Sequence, residues 1–320
     1  MKISVITLNY NGKSDTLACL NSLRSVKKQD WEVSSIVVDN ASTDRALPAI
    51  KSEFPEVTVL ANKENLGFAG GNNVGVRHAL KDGADFLFLL NNDTVVSPTA
   101  LIELVTAALA EKKGGIFGPK IYFAKGAETH PERYKPGELG KVIWYAGGRL
   151  DWDNVLAFHR GVDEVDVGQY DESVKTAFVS GCAMLVRREV FETVGLFDSR
   201  LYLYYEDVDL SVRARKKGYE VLYVPSSRIW HKNAGSSGGT GSDLHVYYMT
   251  RNRLIIGMRY APWKSKLALM REALVVLMQG SSTQKQAVGD FLRKQYGKQG
   301  TMWVWKIPNI NLAGFWKKKK

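Results

Sequence analysis

Several short polar clusters in this chain have residue types and spacings that suit work on a phosphorylated ligand. Asn91-Asn92-Asp93-Thr94 closes an apolar run from Phe86 to Leu90. A carboxylate in that place can bind a hard divalent cation that a diphosphate also holds, which makes Asp93 the candidate metal ligand. The same Asx-rich cluster could instead turn the chain and cap the helix that follows. Asp39-Asn40-Ala41-Ser42-Thr43-Asp44 follows another apolar run. Asp39 there can accept hydrogen bonds from a base or ribose, whereas Ser42 or Thr43 could serve as a helix cap. Asn65 to Asn73 is rich in glycine and opens a helical pattern, so its backbone N–H groups could approach an anion or a sugar. It lacks the Gly-x-Gly-x-x-Gly order expected of a dinucleotide site.

Acid–base chemistry points to Tyr204-Tyr205-Glu206-Asp207-Val208-Asp209, followed at i,i+4 from Asp209 by Arg213. That spacing favours an ion pair and gives Asp209 a structural task. Glu206 and Asp207 remain, and desolvation by Tyr202, Tyr204 and Tyr205 would raise either carboxyl toward the range of a general base. The plainer alternative is that both complement the helix dipole. His231 follows Trp230 just before the glycine- and serine-rich stretch Lys232 to Gly241, which reads as a mobile loop. Its imidazole is placed to join Asp93 on a cation from the other side of the site.

The elements that must carry these residues alternate. Ile3–Leu8, Val33–Val38, Val57–Leu60 and Phe86–Leu90 read as strands. Thr16–Val26, Leu47–Phe54, Gly70–Leu80 and Pro98–Glu111 read as helices between them. This alternation predicts an α/β fold with a mostly parallel sheet covered on both faces, and a ligand crevice at the carboxyl ends of the strands. Beyond Pro119 the pattern becomes irregular, with a hairpin expected around Tyr145 to His159. A buried stretch Ala177–Val186, a helix Arg188–Val194, a helix from Glu206 to about Lys217 and a strand Glu220–Val224 follow.

The net charge of +11 is confined to the end of the chain. Arg251 to Lys320 holds 15 Lys/Arg and 2 Asp/Glu, leaving 29 basic and 31 acidic residues before it. A near-neutral body excludes a nucleic-acid groove. The basic end, with Trp303, Trp305, Phe315 and Trp316 among lysines and an apolar face over Leu267–Met278 interrupted by Arg271 and Glu272, fits an anionic membrane surface. Two cysteines, no signal peptide and no run of about 18 apolar residues place the chain in the cytosol, peripheral on the inner face of the membrane. The expected division is a catalytic domain over 1–241 and a helical extension over 242–320.

Taken in order, Ser4 to Asn11, Val37 to Asp44, Asn65 to Asn73, Leu89 to Thr94, Val179 to Val186 and Glu206 to Arg213 resemble glycosyltransferase family 2. That group is inverting and has the nucleotide-diphospho-sugar-binding GT-A fold. The wording Asn-Leu-Gly-Phe-Ala-Gly-Gly-Asn and Leu-Asn-Asn-Asp resembles its bacterial rhamnosyltransferase branch. The resemblance implies Asp207 as catalytic base within the Glu206–Asp207 pair and Asp93 as the closing residue of an Asp-x-Asp-type metal motif. It also implies Thr7, Asn9, Asp39, Asn40, Asn65, Gly70, Asn73, Asn91 and Asn92 on the donor side. Asn91 replaces the motif's first carboxylate, so the donor diphosphate and His231 would complete the shell of a Mg2+ or Mn2+ ion. The implied partners are a nucleotide-diphospho-sugar, with dTDP-rhamnose the leading donor, and a saccharide or lipid-linked acceptor. A sugar nucleotidyltransferase would instead need an Arg-containing glycine loop after the first strand, where Thr7 to Gly12 stands. A non-catalytic carbohydrate-binding relative would be expected to lack Asp93 or Asp207.

Overall fold

The computed structural model describes residues 1–27, 29–233 and 241–298. Most of the Lys232–Gly241 stretch and the aromatic, lysine-rich end from Trp303 onward lie outside the described residues.

The first half alternates as its sequence pattern requires: β1 (Lys2–Asn9), α1 (Lys13–Arg24), β2 (Glu32–Asp39), α2 (Ala46–Glu53), β3 (Thr58–Ala61), α3 (Gly67–Lys81), β4 (Phe86–Asn91), β5 (Thr94–Val96), α4 (Ala100–Ala110) and β6 (Gly114–Phe123). The second half adds β7 (Ile143–Tyr145), β8 (Gly148–Asp151), β9 (Leu156–His159), β10 (Val174–Lys175), β11 (Ala183–Arg187), α5 (Arg188–Val194), α6 (Glu206–Lys216), β12 (Glu220–His231), α7 (Asp243–Tyr260), α8 (Trp263–Gln279) and α9 (Ser282–Leu292).

One mixed sheet runs β10-β12-β6-β11-β4-β1-β2-β3. β1 pairs in parallel with β2 and β4, β2 with β3, and β6 with β12, while β11 lies antiparallel between β4 and β6. Along β4, Phe86, Phe88 and Leu90 enter one buried cluster, and Leu87 and Leu89 another, because successive side chains of a strand point to opposite faces. Helices cover both faces, so the strand reads as an unbroken apolar run. The expected hairpin forms as the antiparallel pair β8–β9.

Three elements differ from expectation. α3 begins at Gly67, three residues before the expected Gly70, so Phe68 and Ala69 join the helix rather than a loop open to an anion. The reason is packing: a Cβ on Gly71 would lie 2.5 Å from Leu8 Cδ1, and one on Gly75 2.5 Å from Ile6 Cγ2. The glycines let the helix backbone settle on β1. β6 passes through Pro119 to Phe123, every residue buried. β12 continues past Val224 to His231 because Pro225 falls in a register shift between Val224 and Arg228, where a missing N–H is tolerated.

α7 is bonded to the residues around α6. Arg259 reaches Asp209 at 2.9 Å and Asp198 at 2.6 Å, and the Tyr260 hydroxyl donates to Asp209 at 2.7 Å. Asp209 also takes the expected ion pair with Arg213, at 2.7 Å. A fully buried carboxylate thus receives two guanidinium groups and a phenol, which offsets its desolvation.

Candidate active site

The carboxyl ends of β1, β2 and β4 bring most of the polar clusters together, with the antiparallel start of β11 beside them. Asn9, the last residue of β1, donates from Nδ2 to Asp39 Oδ1 at 2.7 Å and to the Ser42 hydroxyl at 2.9 Å. Its Oδ1 accepts from the Thr16 hydroxyl at 2.8 Å. Asn92 Nδ2 donates to the same Thr16 oxygen at 3.0 Å, tying the end of β4 to this network. The other oxygen of Asp39 accepts from the Ser42 N–H at 3.0 Å. Asp39 is 1% exposed, so its carboxylate is a rigid part of the crevice floor.

A second network forms beside it. Asn40 donates to Asn65 Oδ1 at 2.8 Å and to the Gly67 carbonyl at 3.1 Å, and its Oδ1 accepts from Asn62 and from the Leu66 N–H. Both functions of this buried amide are engaged in shaping the Asn62–Gly67 turn. Asn73 sits deeper. Its amide brackets the Phe197 peptide, donating to the carbonyl at 2.9 Å and accepting from the N–H at 3.0 Å. Thr7 Oγ1 is buried with no hydrogen-bond partner. The Asn91 backbone accepts from Thr94 Oγ1 at 2.7 Å and donates to the Cys182 carbonyl at 2.8 Å. Gly70, inside α3, leaves room for Leu66, to whose Cβ an added Cβ would come within 2.9 Å.

The chemistry-bearing groups meet around Gly181-Cys182. Antiparallel pairing sets Ala183 opposite Leu90, so the residues just before β11 lie beside the end of β4. β12 pairs with β5 so that His231 faces Thr94, and His231 Nε2 lies 3.1 Å from Asp93 Oδ1. Burial lowers the His231 pKa, but Cys182 and the Asp93 carboxylate outweigh it and raise the value to about 10. The Trp144 ring stands edge-on at 4.6 Å from His231 and 4.4 Å from His159, whose own pKa burial depresses to about 4. Among the described residues, no group of three or more His, Cys, Asp or Glu is arranged to hold a metal ion. One carboxylate and one imidazole, Asp93 and His231, meet there.

Asp207 approaches from α6. Its Oδ2 accepts from the Gly181 N–H at 2.9 Å and its Oδ1 from the Val208 N–H at 2.7 Å. Burial raises its pKa despite these two donors. Glu206 is 5% exposed, with Oε2 lacking a hydrogen-bond partner, and burial followed by the Asp207 charge raises its pKa well above the usual carboxyl range. The pair is thus two neighbouring buried carboxyls of raised pKa, both fixed at the start of a helix.

Sequence reasoning missed Gly181 and Cys182 as the seat of the site, Trp144 as the ring beside His231, and the role of α7. The polar pair Arg251-Asn252 inside an otherwise core-facing helical pattern was the available signal for the last.

Residues 4–195 match the family model for glycosyl transferase family 2, more than half of the chain. The chain belongs to that family and is a glycosyltransferase of rhamnosyltransferase-like sequence. It is 28% identical over 244 residues to N-acetylglucosaminyl-diphospho-decaprenol L-rhamnosyltransferase of Mycobacterium tuberculosis, covering 72% of this chain and 76% of that one. It is 22% identical over 262 residues to the dTDP-rhamnosyl transferase RfbF of Shigella flexneri, covering 79% of each. The fold is shared with the crystal structure of GalNAc-T7 with UDP, GalNAc and Mn2+, at a TM-score of 0.64 and 17% identity, over 92% of this chain. The match spans 56% of that larger chain. The fold is GT-A.

Proposed function

We propose that the protein transfers a sugar, with inversion, from a nucleotide-diphospho-sugar to a lipid-linked saccharide. dTDP-rhamnose is the donor the reading favours, because the Shigella flexneri relative is a dTDP-rhamnosyl transferase and the Mycobacterium tuberculosis relative acts on a diphospho-decaprenol-linked sugar. The observation that carries the reading is the convergence of Asp207 with Asp93 and His231 on one short strip, Gly181-Cys182.

In this reading Asp207 accepts the proton of the acceptor hydroxyl as that oxygen attacks the anomeric carbon from the face opposite the diphosphate. The Gly181 and Val208 N–H groups hold its carboxylate in one orientation and favour its charged form, whereas burial without a donor on Oε2 disfavours charge on Glu206. Asn9, Asp39 and Asn40 supply a rigid floor for the nucleoside.

Asp93 and His231 fit a divalent cation. Their 3.1 Å separation is close to the ~3.0 Å between neighbouring ligands of an octahedral ion bound at about 2.1 Å. His231 would release its proton to bind, as imidazole ligands do. A bound Mg2+ or Mn2+ would offset the charge of the departing diphosphate. The solved neighbour's Mn2+ agrees with this cofactor class.

The acceptor's lipid calls for a membrane surface, and α8 suits one. Trp263, Leu267, Leu274 and Met278 are 53–67% exposed along one face, with exposed Lys264 and Arg271 among them. Glu272 is turned to Arg253, at 2.6 Å, which leaves the face cationic. No helix among the described residues is long and apolar enough to cross a membrane. The reading thus has the enzyme lying on an anionic inner leaflet, with α7 tied to the expected catalytic domain 1–241 and α8 as the docking face of the extension.

The donor assignment is tested by thermal stabilisation with nucleotide sugars. dTDP-rhamnose with Mg2+ or Mn2+ should raise the Tm of the wild type, and Asp93→Ala should lose the metal-dependent part of the shift. Equal stabilisation of both proteins with and without metal would remove Asp93 from the site.

A further inference from the structure

Three of the four residues just before Glu206 and Asp207 have backbones that side chains rarely adopt. Tyr202, Tyr204 and Tyr205 have φ of 65°, 68° and 70°. Such left-handed conformations cost on the order of 1–3 kcal/mol each and persist only where the surroundings over-determine them. What over-determines them is α7.

Asn252 is fully buried and donates from Nδ2 toward the carbonyls of Leu201, Leu203 and Tyr204, at 2.9, 2.8 and 2.8 Å. Its Oδ1 accepts from Arg251 Nε at 3.1 Å. Arg251, also 0% exposed, donates to the carbonyls of Arg200 and Leu201 at 3.1 and 3.0 Å, and to that of Gly297 at 2.8 Å. Its guanidinium lies over the rings of Tyr247 and Tyr248, 5.3 and 4.9 Å from their centroids. The remaining carbonyl of the loop, that of Tyr202, accepts from the Ala69 N–H at 3.2 Å. Every carbonyl from Arg200 to Tyr204 is therefore matched, four of them by two adjacent α7 side chains. A buried cation costs far more than an ordinary core residue unless its donors are all used, and five planar N–H groups suit a fan of carbonyls as an ammonium does not.

We propose that Arg251 and Asn252 are positioning residues for the transfer reaction: they hold the Tyr202–Tyr205 loop in the one conformation that starts α6 at Glu206 and aims Asp207 at the Gly181 strip. The inference rests on Asp207 being the base. The pair acts chiefly on that carboxylate: Tyr202 also meets Gly67 and Ala69, but the Asn62–Gly67 turn on the donor side has its own side-chain support in Asn40. Asn252 therefore bears on turnover rather than on donor affinity. Its contribution comes from α7, outside the segment matched by the family model.

The test compares Asn252→Ala, the isosteric Asn252→Asp and Asp207→Asn in the full chain. It uses dTDP-rhamnose and N-acetylglucosaminyl-diphospho-decaprenol, with rates normalised to folded protein by donor titration. Both Asn252 variants should lower kcat at least tenfold with donor KM within twofold of wild type. A substrate-free measurement runs alongside: hydrogen exchange at the Ala69 and Asp209 amides, which bond to Tyr202 and Tyr205, should quicken at least tenfold while the β4 amides stay protected. Wild-type kcat in Asp207→Asn would sink the base assignment. An Asp207→Asn that loses turnover, together with unchanged kcat and unchanged exchange in both Asn252 variants, would sink the positioning role alone. Equal losses in kcat and donor affinity would show a general structural role and overturn the proposal too.

Discussion

Glu206 and Asp207 are neighbours in sequence and opposites in environment. Asp207 has two backbone N–H donors, whereas Glu206 has an oxygen with none, and both are buried. Burial and the adjacent aspartate raise the Glu206 pKa well above its ordinary 4.5, so the folded state binds a proton that the unfolded chain releases. The stability this provides is present below the unfolded value and is lost as pH climbs through the raised folded value. Glu206→Gln removes the titration. Denaturant unfolding of wild type should show stability falling as pH rises above about 4.5, and the variant should lack that part of the slope; parallel curves for the two proteins would show that Glu206 ionises freely. Most residues of the candidate site could be picked out at this scale. Asp93, His231, Asp39 and Asp207 stand where a polar residue ends an apolar strand or starts a helix. The reading could not separate residues that face a ligand from residues that tie the crevice together. Asn73 and Phe197, 124 positions apart, close on each other through tertiary contact, which no local pattern encodes.

At the scale of elements, the first four strands and their helices follow from periodicity because each is a long, regular apolar pattern. Where the pattern misled, a close approach or an irregularity was the cause. α3 starts three residues earlier than read, at Gly67, whose φ of 72° turns the chain against the ring of Tyr202, where an added Cβ would lie 2.5 Å away. β12 outruns its predicted end because Pro225 sits in a register shift instead of ending the strand. That continuation sets His231 opposite Thr94 and so beside Asp93, and the metal reading depends on it. The role of α7 was hidden for another reason. Arg251 and Asn252 look like surface residues by type, and only the carbonyls they meet, about 50 positions earlier in the chain, explain their burial.

For the whole molecule, charge and apolar exposure coincide at the same end. The positive excess read from the sequence begins within α7, and among the described residues α8 presents an exposed apolar face studded with Lys264 and Arg271. A second copy of this surface, or the chain's own lysine-rich end, would meet it with like charge, whereas an anionic bilayer complements it. Vesicles containing phosphatidylglycerol should therefore retain the protein in flotation more strongly than phosphatidylcholine vesicles. Trp263→Ser combined with Leu274→Ser should weaken that retention at least several-fold without changing donor-induced stabilisation. Equal retention by neutral vesicles, or by the double variant, would contradict docking through α8.

The central claim, a transferase whose base is Asp207, is met most directly by product formation from dTDP-rhamnose and a diphospho-decaprenol-linked N-acetylglucosamine acceptor, wild type against Asp207→Asn. General-base catalysis contributes ~10²- to 10⁴-fold, so Asp207→Asn should lose turnover by about that factor while still being stabilised by donor and metal. Transfer by Asp207→Asn within threefold of wild type would contradict the account.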